Sequence, residues 1–99
     1  MKIKYKLWEC TLVIGKYENG NTAIRLLDVT DGVPVSVATV NVAEKLPKDE
    51  VYIKDYSENE GMVECLKKAG VLGKLISTRL MGYSTVGKYK LTTKLKTQH

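Results

Sequence analysis

Lys2 to Leu7 alternates without a break, with Ile3, Tyr5 and Leu7 on one side and Lys2, Lys4 and Lys6 on the other. A period of two marks an extended strand with one buried and one solvated face, because successive side chains leave the backbone in opposite directions. The other end repeats the pattern. Between Lys88 and Lys96, Tyr89, Leu91, Thr93 and Leu95 alternate with Lys88, Lys90, Thr92, Lys94 and Lys96. The length of 99 residues suits a single domain, 1–99, with a modest core.

Turn chemistry divides what lies between. The first strand is expected to run from Lys2 to Ile14, with Trp8 in the core. Glu18-Asn19-Gly20-Asn21 supplies the positive φ of a tight hairpin turn, and Asp31-Gly32 is a second turn dipeptide. Strands at about Thr22–Val29 and Val35–Val42 complete an antiparallel meander, followed by a loop at Leu46-Pro47-Lys48-Asp49 and a short strand at Val51–Ile53. Leu72–Met81 reads as a further strand, and Gly82 to Gly87 turns the chain.

One segment changes period. Met62, Val63, Leu66 and Ala69 recur at helical spacing, and Lys67, Lys68 and Gly70 suit a helix end. Ser57-Glu58-Asn59-Glu60 matches a capping box, which predicts a helix over Ser57–Ala69. Gly61 is costly inside such a helix unless another backbone or a partner approaches closely there. The expected class is α+β: a twisted, mainly antiparallel sheet of five or six strands with one packed helix.

Catalytic groups are scarce. The single histidine, His99, is the last residue, and Cys10 and Cys65 lie 55 positions apart with no C-x-x-C motif. Schemes needing a positioned imidazole lose their support, and buried small hydrophobes are the simpler reading of the cysteines. No phosphate-loop or dinucleotide fingerprint occurs. No catalytic residue, metal site or cofactor is assigned. No apolar stretch approaches the ~20 residues of a membrane span, and the start of the chain lacks a signal-peptide pattern. A cytoplasmic protein without a membrane partner is expected.

Charge is sorted along the chain. Residues 1–16 carry +3, residues 17–64 are acidic, and residues 65–99 hold eight bases and no acid, leaving +5 in all. Lysines on alternate positions stand about 6.5–7 Å apart on one sheet face. If the terminal strands were neighbours, their rows would merge into a basic surface suited to phosphates or to an acidic protein. Lysine also protects strand edges from aggregation. Lys88, Lys90, Lys94 and Lys96 are therefore candidate partner contacts. So is Tyr83, in the glycine-containing turn.

The string Val51 to Met62, VYIKDYSENEGM, resembles a motif of short uncharacterised proteins from Firmicute and gut bacteria and their phages or mobile elements. In those proteins such a strand runs into a helix that closes with Ala-Gly-Val/Ile. Gly15-Lys16-Tyr17, Asn19 to Ile24, and Val40-Asn41-Val42 ahead of Leu46-Pro47 are similar as well, so the resemblance covers about residues 15–71. It implies a setting, phage or conjugative-element cargo, and no activity. With catalytic groups scarce and the charges sorted, the expected function in that setting is a non-enzymatic protein that modulates or inhibits a host protein, a CRISPR-type defence nuclease complex being one such target. Within the motif, Lys54, Asp55, Tyr56, Glu58 and Asn59 exceed what capping and core require and are further candidate contacts. The alternative is a lysine-rich accessory domain that binds nucleic acid.

Overall fold

The computed structural model describes residues 1–92, so Lys94, Lys96 and His99 lie outside the described residues. Among the described residues there are eight strands: β1 (Lys2–Tyr5), β2 (Trp8–Lys16), β3 (Thr22–Asp28), β4 (Pro34–Val37), β5 (Thr39–Val40), β6 (Glu50–Ile53), β7 (Leu72–Met81) and β8 (Ser84–Leu91). A 3-10 turn (Ser57–Asn59) and one helix, α1 (Met62–Lys68), lie between β6 and β7. The fold is α+β. Its strands form two antiparallel four-stranded sheets, ordered β1-β2-β3-β4 and β5-β6-β8-β7.

Two expected strands are broken, which is why the strands exceed five or six. The first stops at Tyr5, where Lys6 takes a φ of 54° and Tyr5 pairs directly with Trp8. Leu7 is thereby thrown into solvent, and Trp8 is exposed rather than in the core. The third changes sheet at Ala38. Its N–H donates to Ile24 of β3, and its carbonyl accepts from the N–H of Lys54, each at 2.8 Å. One strand thus serves the first sheet through β4 and the second through β5.

The larger core lies between the sheets, where Ile3, Tyr5, Cys10, Leu12, Ile24 and Leu26 meet Val51, Ile53, Val71, Leu72 and Leu91. Helix α1 lies against β1 and β7 and adds Met62 and Leu66, both fully buried. Each such side chain contributes about 1.5–3 kcal/mol of burial free energy. A smaller cluster, Val42, Leu46, Tyr52 and Val86, fills the space under the 41–49 loop. Asn21 anchors that loop: its amide nitrogen donates to the Glu44 carbonyl at 2.9 Å, and its side-chain oxygen accepts from the Leu46 N–H at 2.8 Å.

The helix start is built differently from the predicted capping box. Ser57 takes a φ of 57° and makes no cap; its hydroxyl turns to the Glu58 carboxylate. Helix α1 begins five residues later, after Gly61 at a φ of 88°. The orphan N–H groups of Gly61 and Met62 instead donate to Asp55 Oδ1, at 2.6 and 2.9 Å. A carboxylate suits that position because the first turn of a helix presents unpaired donors and the positive end of the dipole. A Cβ on Gly61 would meet nothing within 4 Å, so its backbone angle, rather than a close approach, requires glycine.

Candidate functional site

The 54–62 motif is tied into the fold at almost every residue. Asn59 is 1 % exposed; its amide donates to the Val37 carbonyl, and its oxygen accepts from the Ser36 hydroxyl, which fastens the 3-10 turn to β4. The Tyr5 hydroxyl donates to the Glu58 and Glu60 carbonyls, both at 3.1 Å. Tyr56 packs beside the smaller cluster, with Lys54 Nζ 5.3 Å from its ring centroid. Lys54 and Glu58 form an ion pair at 2.5 Å, one helical turn apart in sequence. That bond holds the Glu58 carboxyl at about 2, below its ordinary 4.5, and raises the Lys54 ammonium. Asp55 is the cap. These five residues build the strand-to-helix junction, and only Lys54, Asp55 and Glu58 leave much of their charge facing outward.

The lysine rows do not merge. β1 is an edge of the first sheet, whereas β8 lies inside the second, between β6 and β7. The lysines of β8 also face acids on β6 and the preceding residue. Lys88 Nζ lies 3.5 Å from Glu50, and Lys90 Nζ lies 3.1 Å from Asp49 and 3.3 Å from Glu50. Hydrogen bonds to Asp49 and Glu50 raise the Lys90 pKa. Nearby, Arg79 pairs with Glu44, which lowers the Glu44 carboxyl. Arg79 and Lys88 also reach the Tyr52 ring, at 5.2 and 5.9 Å from its centroid. Glu44, Asp49 and Glu50 therefore oppose, in space, Arg79, Lys88 and Lys90 of the base-rich stretch that looked unopposed in sequence.

Burial raises both cysteine thiols, Cys10 and Cys65, above their ordinary value. Each is free, and the shift leaves little thiolate for nucleophilic work near neutral pH. Among the described residues, no group of three or more His, Cys, Asp and Glu is placed to hold a metal ion.

The β7–β8 hairpin stands apart from this pattern. Gly82 takes a φ of 62° in the two-residue turn Gly82-Tyr83, flanked by the pair Met81 and Ser84. Tyr83 at the tip is fully exposed (107 %), and Leu80 (71 %), Leu75 (48 %) and Ile76 (37 %) are exposed along β7. No other described element gathers as many exposed large apolar side chains. Gly87 admits part of this arrangement. A Cβ there would lie 2.9 Å from Leu75 Cδ1 and 2.8 Å from Tyr89 Cε1, so the missing side chain lets Leu75 and Tyr89 lie across the strand.

β7 pairs with β8 on one side only, and no described strand covers its other edge. Sequence reasoning placed Tyr83 here but passed over Leu75, Ile76 and Leu80. The available signal was the lack of strict alternation in LGKLISTRLM, which leaves apolar residues on both faces of one strand.

No helix among the described residues is long and apolar enough to cross a membrane. No family model, curated protein or solved structure matches the chain.

Proposed function

We propose that this chain is a non-enzymatic protein-binding module whose contact surface is the β7–β8 hairpin. The observation that carries the reading is the group Leu75, Ile76, Leu80 and Tyr83, four large apolar side chains left exposed on one hairpin beside a free strand edge. Exposed apolar side chains gathered on one element favour a protein interface, and tyrosine is a preferred anchor residue in one. In the mobile-element setting that the sequence resemblance implies, the partner is a host protein, and binding acts by occlusion.

Nucleic-acid binding is the weaker reading. Lys88 and Lys90 already face Asp49 and Glu50, and β1 lies in the other sheet. The test compares a partner captured by the wild-type protein with two sets of variants. Leu80→Lys and Tyr83→Ala are expected to weaken that complex about tenfold or more, the size of a typical anchor loss. A Lys2→Glu, Lys4→Glu double variant is expected to bind as wild type. The reading fails if only the lysine variant loses the partner, or if the chain shifts duplex DNA or RNA at low salt and releases it as salt rises.

A further inference from the structure

The free edge of β7 has a geometry that selects its occupant. Register slips at Leu72/Leu75 and Leu75/Ser77 bulge the first half of the strand, leaving Ser77–Met81 as its regular stretch. Bulges and charges are the usual protection of an edge; the bulges stop before Ser77, and the one charge in this stretch, Arg79, is tied to Glu44 and lies over the Tyr52 ring. Met81 and Ser84 flank a two-residue turn and so form a hydrogen-bonded pair. By antiparallel alternation, Thr78 and Leu80 aim their N–H and C=O groups away from β8.

We infer that a second copy of this chain occupies that edge, β7 pairing antiparallel with β7 of its partner about a two-fold axis at Thr78, so that the two second sheets become one eight-stranded sheet. This rests on reading the hairpin as a contact surface and goes further by naming what sits on it.

Charge and polarity select the copy and the register. With Thr78 opposite Thr78, Arg79 faces Ser77 and, at the Leu75/Ser77 bulge, Leu80 falls beside Ile76, so no like charges are directly opposed and apolar residues lie beside apolar ones. Shifting the axis by one residue to Arg79 sets two guanidinium groups opposite each other. An axis at Leu80 keeps only Arg79–Met81 in the ladder before the strand ends, whereas the Thr78 axis keeps Leu75–Met81, across the Leu75/Ser77 bulge. Directly opposed residues share a face. The Thr78 register therefore sets the exposed Leu80 side chains of both copies on the same side of the joined sheet, where a further protein would meet both.

Sedimentation equilibrium of the full chain across a wide concentration range tests this, with circular dichroism confirming the fold of each variant. Wild type is expected to show a monomer–dimer equilibrium. Thr78→Lys, which sets two ammonium groups face to face at the axis, is expected to weaken it about fivefold. Ser77→Glu places a carboxylate opposite the partner's Arg79 twice per dimer and is expected to tighten it, which reads the register independently. A wild-type chain that stays monomeric throughout overturns the inference. So does a dimer indifferent to both substitutions. Either result leaves the hairpin reading to be judged separately, by whether Leu80→Lys and Tyr83→Ala release a captured partner.

Discussion

Replacing Asp55 by alanine removes the one side chain that caps α1. Its Oδ1 accepts from two backbone donors, Gly61 N at 2.6 Å and Met62 N at 2.9 Å, that have no acceptor within the helix. Loss of such a cap costs about 1–2 kcal/mol; Asp55 is exposed, so water replaces part of the bonding and the upper end of the range is not reached by much. Helix α1 has only 7 residues, yet it delivers Met62 and Leu66 to the core with no exposure, so its start cannot fray without disturbing packing. For a domain of this size 1 kcal/mol corresponds to roughly 4–8 °C in Tm, and a fall of about 5–10 °C is expected by thermal circular dichroism or calorimetry. Asp55→Asn keeps an acceptor and loses the charge, and should fall between the two. Ser57→Ala should move Tm little, because the Ser57 side chain makes no cap. If Asp55→Ala melts within about 1 °C of wild type while Ser57→Ala is strongly destabilised, the capping box governs and the junction described above is wrong.

Three further outcomes follow from named residues. Gly61→Ala places a Cβ at a φ of 88° in open space, so backbone strain alone should cost about 1–2 kcal/mol, and Gly61→Asn should cost less; urea titration separates the two. The Glu58 carboxyl should titrate near 2 by NMR, and Lys54→Ala should return its midpoint toward 4.5. Because that pKa is lowered on folding, the stabilisation it carries is complete above about pH 4.5 and disappears as the pH falls toward 2. Leu66→Ala empties a fully buried site between β1 and β7 and should cost about 2–5 kcal/mol in denaturant unfolding, with the midpoint moving and the slope unchanged.

The α+β class, the hairpins at Asn19-Gly20 and Asp31-Gly32, the β7 strand and the existence of one helix were legible because each has a local cause: period, turn dipeptide or apolar stripe. The break after Tyr5 was not. Lys6-Leu7 contains none of the residues that announce a turn, and Lys6 accepts a left-handed backbone while its ammonium bonds the Glu58 carbonyl at 3.0 Å, 52 residues away. The change of sheet at Ala38 was hidden for a related reason. Alternation continues across it, and only the partners of its N–H and carbonyl, Ile24 and Lys54, reveal it.

The capping box failed because the motif matches two helix starts: Ser57 has the right spacing to Glu60, but Asp55 has the reach to Gly61. The candidate surface was half readable. Tyr83 followed from its turn. The neutralisation of Lys88 and Lys90 needed β6 and β8 to be neighbours, and nothing in the linear charge pattern places Asp49 and Glu50 beside them.

Amide hydrogen exchange at Thr78 and Leu80, followed from dilute to concentrated protein, reads the occupied edge directly. These N–H groups point away from β8 and should exchange freely in dilute protein, then gain protection together as the concentration rises, while β1 (Lys2–Tyr5) stays unchanged. Thr78 and Leu80 exchanging freely at every concentration, with protection appearing on β1 instead, would contradict the assignment of the β7 edge as the surface on which two copies of this chain meet.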